Sequence, residues 1–294
     1  MESSTTKESE SRIQNPKKEV WGKTLCPGQT SGTGTADQRF KPGFSETGPP
    51  PIEQVRPLII QPTFKAGFTA IKIDVWTKYT KDTWVLNQVK GMSIPFTSAP
   101  KQQTIPFIFS LNALERESLT KELEKMCTLG IIKKVSPTSG QYISNIFTRP
   151  KPDGGIRVIL DLTFFNQEAV EYKHFKMSSL KTALEMMRVG GWMGSVDLEK
   201  CYYSFSILQD HRKFLRFRWN DTLFEYQVLS NGLSSGPRFV TKILNPIFAY
   251  LRKQGIEVFV YIDDTFIIAD SKEKCQEGIN KDLYVLQDLG FFIN

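Results

Sequence analysis

Three aspartates stand at the ends of short apolar runs. Asp263 and Asp264 interrupt the apolar residues 258–269, and Asp197 ends a short apolar run that a helix-like turn follows. Crowded carboxylates are unfavourable unless a cation compensates their charge, and hard divalent ions take oxygen ligands. If the strands that end at Asp197 and Asp263 are neighbours in one sheet, the three carboxylates converge. Such a cluster suits phosphoryl transfer with two metal ions.

Simpler interpretations of the same residues stay open. The pair Asp263 and Asp264 also fits a hairpin turn with solvated carboxylates, because aspartate is common in turns. Asp197 also fits a helix N-cap.

The sequence contains few of the cysteine and histidine residues that other kinds of catalytic or metal site require. The four cysteines are far apart and form no C-x-x-C pair, and the chain has only 2 histidines. A disulfide framework, a cysteine zinc site and a Ser-His-Asp triad are therefore disfavoured, and a reducing compartment is expected. Carboxylates are left as the groups that carry any chemistry.

The composition favours a folded protein with a nucleic-acid partner. The 294 residues include 40% hydrophobic residues and 38 Lys+Arg against 31 Asp+Glu, a net charge of +7. Residues 1–57 contribute a net +1, so the remainder carries +6. The N-terminus has no secretory signal, and no stretch reaches about 18 apolar residues. We expect an intracellular protein, cytoplasmic or nuclear and not secreted, without a membrane partner.

The segments that must position the aspartates are predicted from local patterns. Residues 1–57 are rich in Ser, Gly and Pro, which predicts a disordered tail. Residues 58–110 read as a helical and extended arm, with one apolar stripe formed by Ile71, Val75, Trp76 and Tyr79.

Helices and strands alternate after the arm. Asn112 and Glu115 form a capping box for a helix that ends at Gly130. Strands are expected at residues 142–149, 156–162, 192–198, 214–219 and 223–228, and helices at 180–187 and 283–289. A helix starting at Pro237 should be kinked by Pro246. Residues 257–269 read as two β-rich runs joined at Asp263 and Asp264. The pattern indicates an α+β protein with an antiparallel or mixed sheet covered by helices.

Five blocks, in the right order, resemble reverse transcriptases. Tyr261–Asp264 reads YIDD, like the Tyr-x-Asp-Asp signature of that family. The other blocks are RPKPDGGIRVILDLTFFNQ, SVDLEKCYYSFSI, VLSNGLSSGPRFVTKIL and DLGFFIN. The sequences of residues 76–96 and 174–184 most resemble those of DIRS-type retrotransposons, and Ty3/gypsy-like elements are the next most similar.

The resemblance implies a right-hand polymerase fold. Fingers would comprise residues 111–172 and 206–235, and the palm residues 173–205 and 236–294, with an antiparallel palm sheet backed by helices. The thumb would be missing, so we expect a fragment of a polyprotein. Its partners would be dNTPs and an RNA or DNA template-primer; the oligomeric state stays undetermined.

The resemblance also implies a mechanism. Asp197, Asp263 and Asp264 would hold two Mg²⁺ ions, or Mn²⁺, with Asp264 the weaker ligand and the backbone carbonyl of Leu198 a further one. The primer 3′-hydroxyl would attack the α-phosphate of a dNTP and release pyrophosphate.

Further residues receive roles from the same resemblance. Tyr202 would exclude a ribose 2′-hydroxyl, although a core aromatic is the alternative. Ser230 replaces the usual proline of its block. The nucleotide would contact Lys151, Arg157, Asn231 and Gly232, and the nucleic acid Arg238, Lys242 and Tyr261. For Lys151 and Arg157, the alternative is an exposed basic hairpin. For Arg238 and Lys242, the alternative is a helix face in contact with solvent.

Three functions are weighed. RNA-directed DNA synthesis is the first, and an inactive, truncated nucleic-acid-binding relic is the second. A viral RNA-dependent RNA polymerase is disfavoured, because those enzymes usually carry Gly-Asp-Asp and because Tyr202 favours dNTPs.

Overall fold

The computed structural model describes residues 63–103, 111–151, 154–176 and 180–294. The predicted disordered tail at 1–57 lies outside these ranges, as do parts of the predicted arm and the first two residues of the turn at 152–155. None of the helices in the described ranges combines the length and apolar character needed to cross a bilayer.

Three short helices open the described chain: α1 (Phe68–Ile71), α2 (Ile73–Tyr79) and α3 (Thr83–Lys90). Asp82 caps α3 by accepting hydrogen bonds from the backbone amides of its first turn. Trp76 is fully buried, and its indole N–H donates to the carbonyl of Leu289 at 3.0 Å. The predicted single apolar stripe is wrong at Ile71, which is 63% exposed because the helix breaks at Lys72.

The predicted fingers begin with α4 (Ala113–Thr128), where the capping box of Asn112 and Glu115 is present as predicted. Strand β1 (Ile132–Lys134) follows, then β2 (Asn145–Pro150) and β3 (Ile156–Asp161), which form an antiparallel hairpin, and α5 (Thr163–Ala169). Strand β2 begins at Asn145, three residues later than predicted. The preceding backbone instead bonds to the carbonyls of Lys213 and Arg216.

A second small sheet has the order β1-β6-β5. Helix α6 (Leu180–Met186), strand β4 (Trp192–Asp197) and helix α7 (Gln209–Arg212) precede its hairpin, β5 (Arg216–Trp219) and β6 (Thr222–Tyr226). Asn220 and Asp221 both have positive φ, as a tight turn between strands requires. Buried Arg216 donates to Glu225 at 2.8 Å across this hairpin.

The predicted palm is completed by α8 (Gly236–Lys253), β7 (Glu257–Tyr261), β8 (Asp264–Ala269) and α9 (Lys272–Asp288). The antiparallel sheet has the order β4-β8-β7, and α8 and α9 pack against it. Helix α8 starts at Gly236 with proline in its first turn, buries its apolar face as predicted, and continues through Pro246.

Two boundaries differ from the sequence prediction. Helix α9 begins at Lys272, capped by Ser271, and not near residue 283, because its polar first turns hide the helix from an apolar pattern. The β7–β8 hairpin turns at Ile262 and Asp263, so Asp264 is already the first residue of β8.

Candidate active site

The sheet register brings the two aspartate motifs to one end of the palm. Asp264 lies opposite Asp197 of β4 on one side and opposite Tyr261 of β7 on the other. Directly opposed residues of antiparallel strands have Cα atoms about 4.5–5.5 Å apart. Strand β4, which ends at Asp197, is therefore a neighbour of β8, which begins at Asp264, whereas β7, the strand that leads toward Asp263, lies on the far side of β8. Asp263 lies in the two-residue loop next to the pair of Asp197 and Asp264.

The loop that carries Asp263 has a strained backbone. Ile262 has φ of 55°, a region that a β-branched residue rarely adopts. Such strain costs about 1–3 kcal/mol and persists only where the surroundings impose it. Here, Ile262 holds the first loop position, and the amide of Leu198 donates to the carbonyl of Asp263 at 3.4 Å. The loop is thereby fixed against the end of β4.

The aspartates influence one another electrostatically. Burial raises the pKa of Asp263, the carboxylates of Asp264 and Asp197 raise it further, and its own backbone amide and Arg157 oppose the rise. Burial and the charge of Asp197 also raise the pKa of Asp264. Like charges that are close enough to raise one another's pKa favour a bound cation.

The donor chemistry fits a hard divalent ion, since all three groups are carboxylates. The side chains are nevertheless not yet gathered: among the described residues, no three Asp, Glu, His or Cys side chains stand together as a metal-binding group. The carboxylate of Asp197 instead accepts a hydrogen bond from the side-chain amide of Asn294 at 2.5 Å.

Residues 292–294 run beside residues 197–199, a contact that local sequence patterns did not indicate. The amide of Asn294 donates to the carbonyl of Asp197 at 3.0 Å, and the amide of Glu199 donates to the carbonyl of Phe292 at 2.7 Å. Asn294 therefore fixes both the backbone and the carboxylate of Asp197. The role of the Leu198 carbonyl as a ligand stays a prediction.

A short 3-10 turn (Cys201–Ser204) follows the first aspartate motif. Cys201 is fully buried, and its pKa is raised by burial and by the nearby charges of Asp263 and Asp197. Tyr202 is half-buried against the start of α8: a Cβ built on Gly236 would lie 3.0 Å from its ring. Burial also raises the pKa of Tyr202, which keeps its hydroxyl neutral. Its role as a sugar gate stays a prediction.

The two basic residues of the β2–β3 hairpin have different surroundings. Arg157 lowers the pKa of Asp263, so its charge acts at the aspartates. Lys151 lies 4.0 Å from Glu122 of α4. Of these two residues, Arg157 is therefore the one whose positive charge affects Asp263.

The loop before α8 packs against the fingers. The side-chain amide of Asn231 donates to the hydroxyl of Tyr203 at 3.2 Å. Gly232 has φ of 109°, and a Cβ there would lie 2.2 Å from the carbonyl oxygen of Leu160. Gly232 was expected to permit close approach of a nucleotide, but the backbone it meets is that of β3. The need for glycine is explained by this packing.

The three predicted nucleic-acid contacts lie on two surfaces. Tyr261 is 42% exposed beside the loop of the aspartates. Arg238 and Lys242 line a cavity on α8, and the ammonium group of Lys242 lies 3.7 Å from the ring centroid of Trp84.

The family described as "Reverse transcriptase (RNA-dependent DNA polymerase)" matches residues 149–294. Among curated proteins, the Tf2-3 and Tf2-7 transposon polyproteins of Schizosaccharomyces pombe are 20% and 19% identical over 207 residues. That alignment covers 70% of this chain and 15% of each polyprotein. The chain therefore spans a small part of the relatives it matches.

Solved structures with the same fold come from foamy virus. The native prototype foamy virus protease-reverse transcriptase aligns with a TM-score of 0.57 at 17% identity, covering 69% of this chain and 26% of that one. The foamy viral protease-reverse transcriptase in complex with dsDNA aligns with a TM-score of 0.59 at 16% identity, covering 80% and 52%. The predicted polymerase fold is confirmed, and residues 149–294, almost half of this chain, match the reverse transcriptase family.

Proposed function

We propose that this chain is the polymerase part of a retrotransposon polyprotein and that it performs template-directed DNA synthesis with two divalent ions. The observation that carries the proposal is the register of Asp197 against Asp264, with Asp263 in the adjoining loop. Similarity to the Tf2 polyproteins supports the retrotransposon origin. The narrower assignment to the DIRS type rests on residues 76–96 and 174–184 and stays a prediction.

Asp197 and Asp263 would be the direct ligands of the ions, with Asp264 more peripheral. When bound, Mg²⁺ or Mn²⁺ would reduce the electrostatic repulsion between the primer 3′-oxygen and the α-phosphate. The 3′-hydroxyl would lose its proton to solvent, a bond would form between its oxygen and the α-phosphorus, and the bond from the α-phosphorus to the bridging oxygen of the pyrophosphate would break. The raised pKa values of Asp263 and Asp264 in the free protein mean that cation binding must compete with protons.

Residues of the fingers and palm would position the nucleotide. The guanidinium of Arg157 can pair with phosphate oxygens beside the aspartates, since an arginine fork matches them geometrically. The ring of Tyr202 packs on Gly236 and so has a fixed place from which to exclude a 2′-hydroxyl. A template-primer partner is supported by the solved foamy viral enzyme, which is in complex with dsDNA.

Primer extension by the purified chain tests the proposal. We compare the parent chain with Asp263→Asn, using an exposed aspartate of α2, Asp74→Asn, as the matched control. Incorporation of dNTPs, dependent on Mg²⁺ or Mn²⁺, should disappear in the first variant and survive in the second. Equal incorporation by both variants would refute the assignment, and a preference for NTPs would indicate an RNA polymerase.

An inactive nucleic-acid-binding relic is the second candidate. It is favoured by the hydrogen bond that turns the Asp197 carboxylate toward Asn294 and by the absence of a gathered metal-binding group in the described ranges. Salt-sensitive RNA binding without synthesis, unchanged by Asp263→Asn, would support this function.

A further inference from the structure

A cavity of about 270 Å³ lies between α3, the segment after α5 and the start of α8. Its walls combine aromatic and basic side chains, the two types that bind single-stranded nucleic acid together. The aromatic side chains are Trp84, Tyr172, Phe175 and Phe239, and the basic ones are Lys173, Arg238 and Lys242.

The cavity is separate from the aspartates. On α8, Gly236 faces the ring of Tyr202. Arg238 follows two residues later, which is about 200° around a helix with 3.6 residues per turn. Arg238 therefore points away from the side of α8 that faces Tyr202. Helix α3, which supplies Trp84, lies upstream of the family match at 149–294.

The basic side of the cavity suits a phosphate. Arg238 and Lys242 lie one turn apart at the start of an 18-residue helix, whose N-terminus favours negative charge. Ser235, which precedes the helix, has a buried hydroxyl with no hydrogen-bond partner among the described residues. Lys173 is already paired with Glu171 at 2.9 Å. The charge available to an anion therefore comes chiefly from the two residues of α8.

The aromatic side suits a nucleobase. Tyr172 is 78% exposed, an unusual state for a large aromatic ring at a cavity edge. Phe175 is half-buried beside it. Trp84 is held in place from two directions, by the ammonium group of Lys242 and by an edge contact with Phe239 at 6.3 Å. Every base has a π-face, so such a surface accepts bases without regard to sequence.

We propose that this cavity binds one unpaired nucleotide of a single-stranded nucleic acid. The base stacks on Tyr172, and its phosphate is held by Arg238 and Lys242. The volume of about 270 Å³ lies just below the range of about 300–1,000 Å³ typical of small-molecule sites, so it suits one nucleotide and not a base pair. The inference rests on the proposed function for its substrate class, and one wall of the cavity is formed by Trp84, which lies upstream of the polymerase match.

Binding of a fluorescent single-stranded oligonucleotide tests the inference without metal ions or dNTPs. Anisotropy is measured with an ordinary DNA strand and with the same strand carrying abasic sites. Tyr172→Ala should weaken binding of the ordinary strand at least about fivefold and leave the abasic strand unaffected. Lys242→Gln should reduce the slope of log K against log salt by about 0.7.

Lys274→Gln is the matched control, because Lys274 is an exposed lysine on α9, outside this cavity. If Lys274→Gln and Lys242→Gln reduce the salt slope equally, or if Tyr172→Ala weakens both strands alike, the proposed cavity is overturned. Failure of the parent chain to synthesise DNA in primer extension would instead count against the proposed function alone, because the binding assay contains no step of synthesis. Tyr172 is exposed, so its replacement leaves the core intact.

Discussion

Asp282 is an aspartate of α9 that lies wholly within the core, behind the strands of the active site. One carboxylate oxygen lies 2.7 Å from the hydroxyl of Thr265, and the other has no partner among the described residues. The same hydroxyl lies 3.2 Å from the carbonyl of Val196. Since a hydroxyl carries a single proton, Thr265 can donate to ionised Asp282 or to Val196 but not to both at once. When Asp282 is protonated, it can donate to Thr265 while Thr265 donates to Val196, so only the protonated form satisfies all three groups.

Burial raises the pKa of Asp282 from 3.8 to about 7, against a smaller lowering by the Thr265 hydrogen bond. The folded state therefore holds the proton more tightly than the unfolded chain, and this group destabilises the fold as pH rises above 3.8 until the effect levels off above about 7. At 1.36 kcal/mol per pKa unit, the full loss is about 4 kcal/mol. More than half of this loss falls between pH 5 and pH 8.

Asp282→Asn removes the titration and keeps a donor for Thr265. In urea unfolding, the free-energy difference between the variant and the parent chain should grow in favour of the variant by about 2–3 kcal/mol from pH 5 to pH 8. Asp74→Asn, on the surface of α2, serves as the control and should show no such growth. A difference that stays constant across this interval would refute the assignment of a raised pKa to Asp282.

Three further perturbations test the packing and the site. Gly232→Ala should destabilise the chain by about 2–4 kcal/mol in urea unfolding, because the new Cβ meets the carbonyl of Leu160 at positive φ; a change below about 0.5 kcal/mol would contradict that contact. Arg216→Met should cost about 3–5 kcal/mol by leaving Glu225 charged and buried, and adding Glu225→Leu should restore most of it; no recovery in thermal unfolding would mean that packing dominates. Tyr202→Ala should raise ribonucleotide incorporation in primer extension, and an unchanged preference for dNTPs would remove Tyr202 as the gate.

Local patterns predicted those features that short-range chemistry determines. The capping box of Asn112 and Glu115 specifies a helix start by reciprocal hydrogen bonds three residues apart, and it is present. Proline in the first turn of α8 is likewise a local signal for a helix start, and it is present as predicted. The convergence of the two aspartate motifs at one sheet was stated as a condition, and the sheet meets it through β8, which begins at Asp264 and pairs with β4.

Features that depend on distant residues were beyond local patterns. The turn of the catalytic hairpin was expected at the two aspartates, because no propensity places an isoleucine at positive φ; tertiary contacts impose that state on Ile262. The contact between Asn294 and Asp197 spans 97 residues and involves no repeating pattern. Asp282 was missed for a related reason, since a charged residue in a helix normally indicates its solvent face.

The pairing of residues 292–294 with residues 197–199 has a mechanical consequence. Asn294 is joined to Asp197 by two hydrogen bonds, one from its backbone at 3.0 Å and one from its side chain at 2.5 Å. A pulling force applied at residue 294 acts on its covalent bond to Ile293 and, through these two hydrogen bonds, also on Asp197. A displacement of Asn294 is therefore felt by both the backbone and the carboxylate of Asp197.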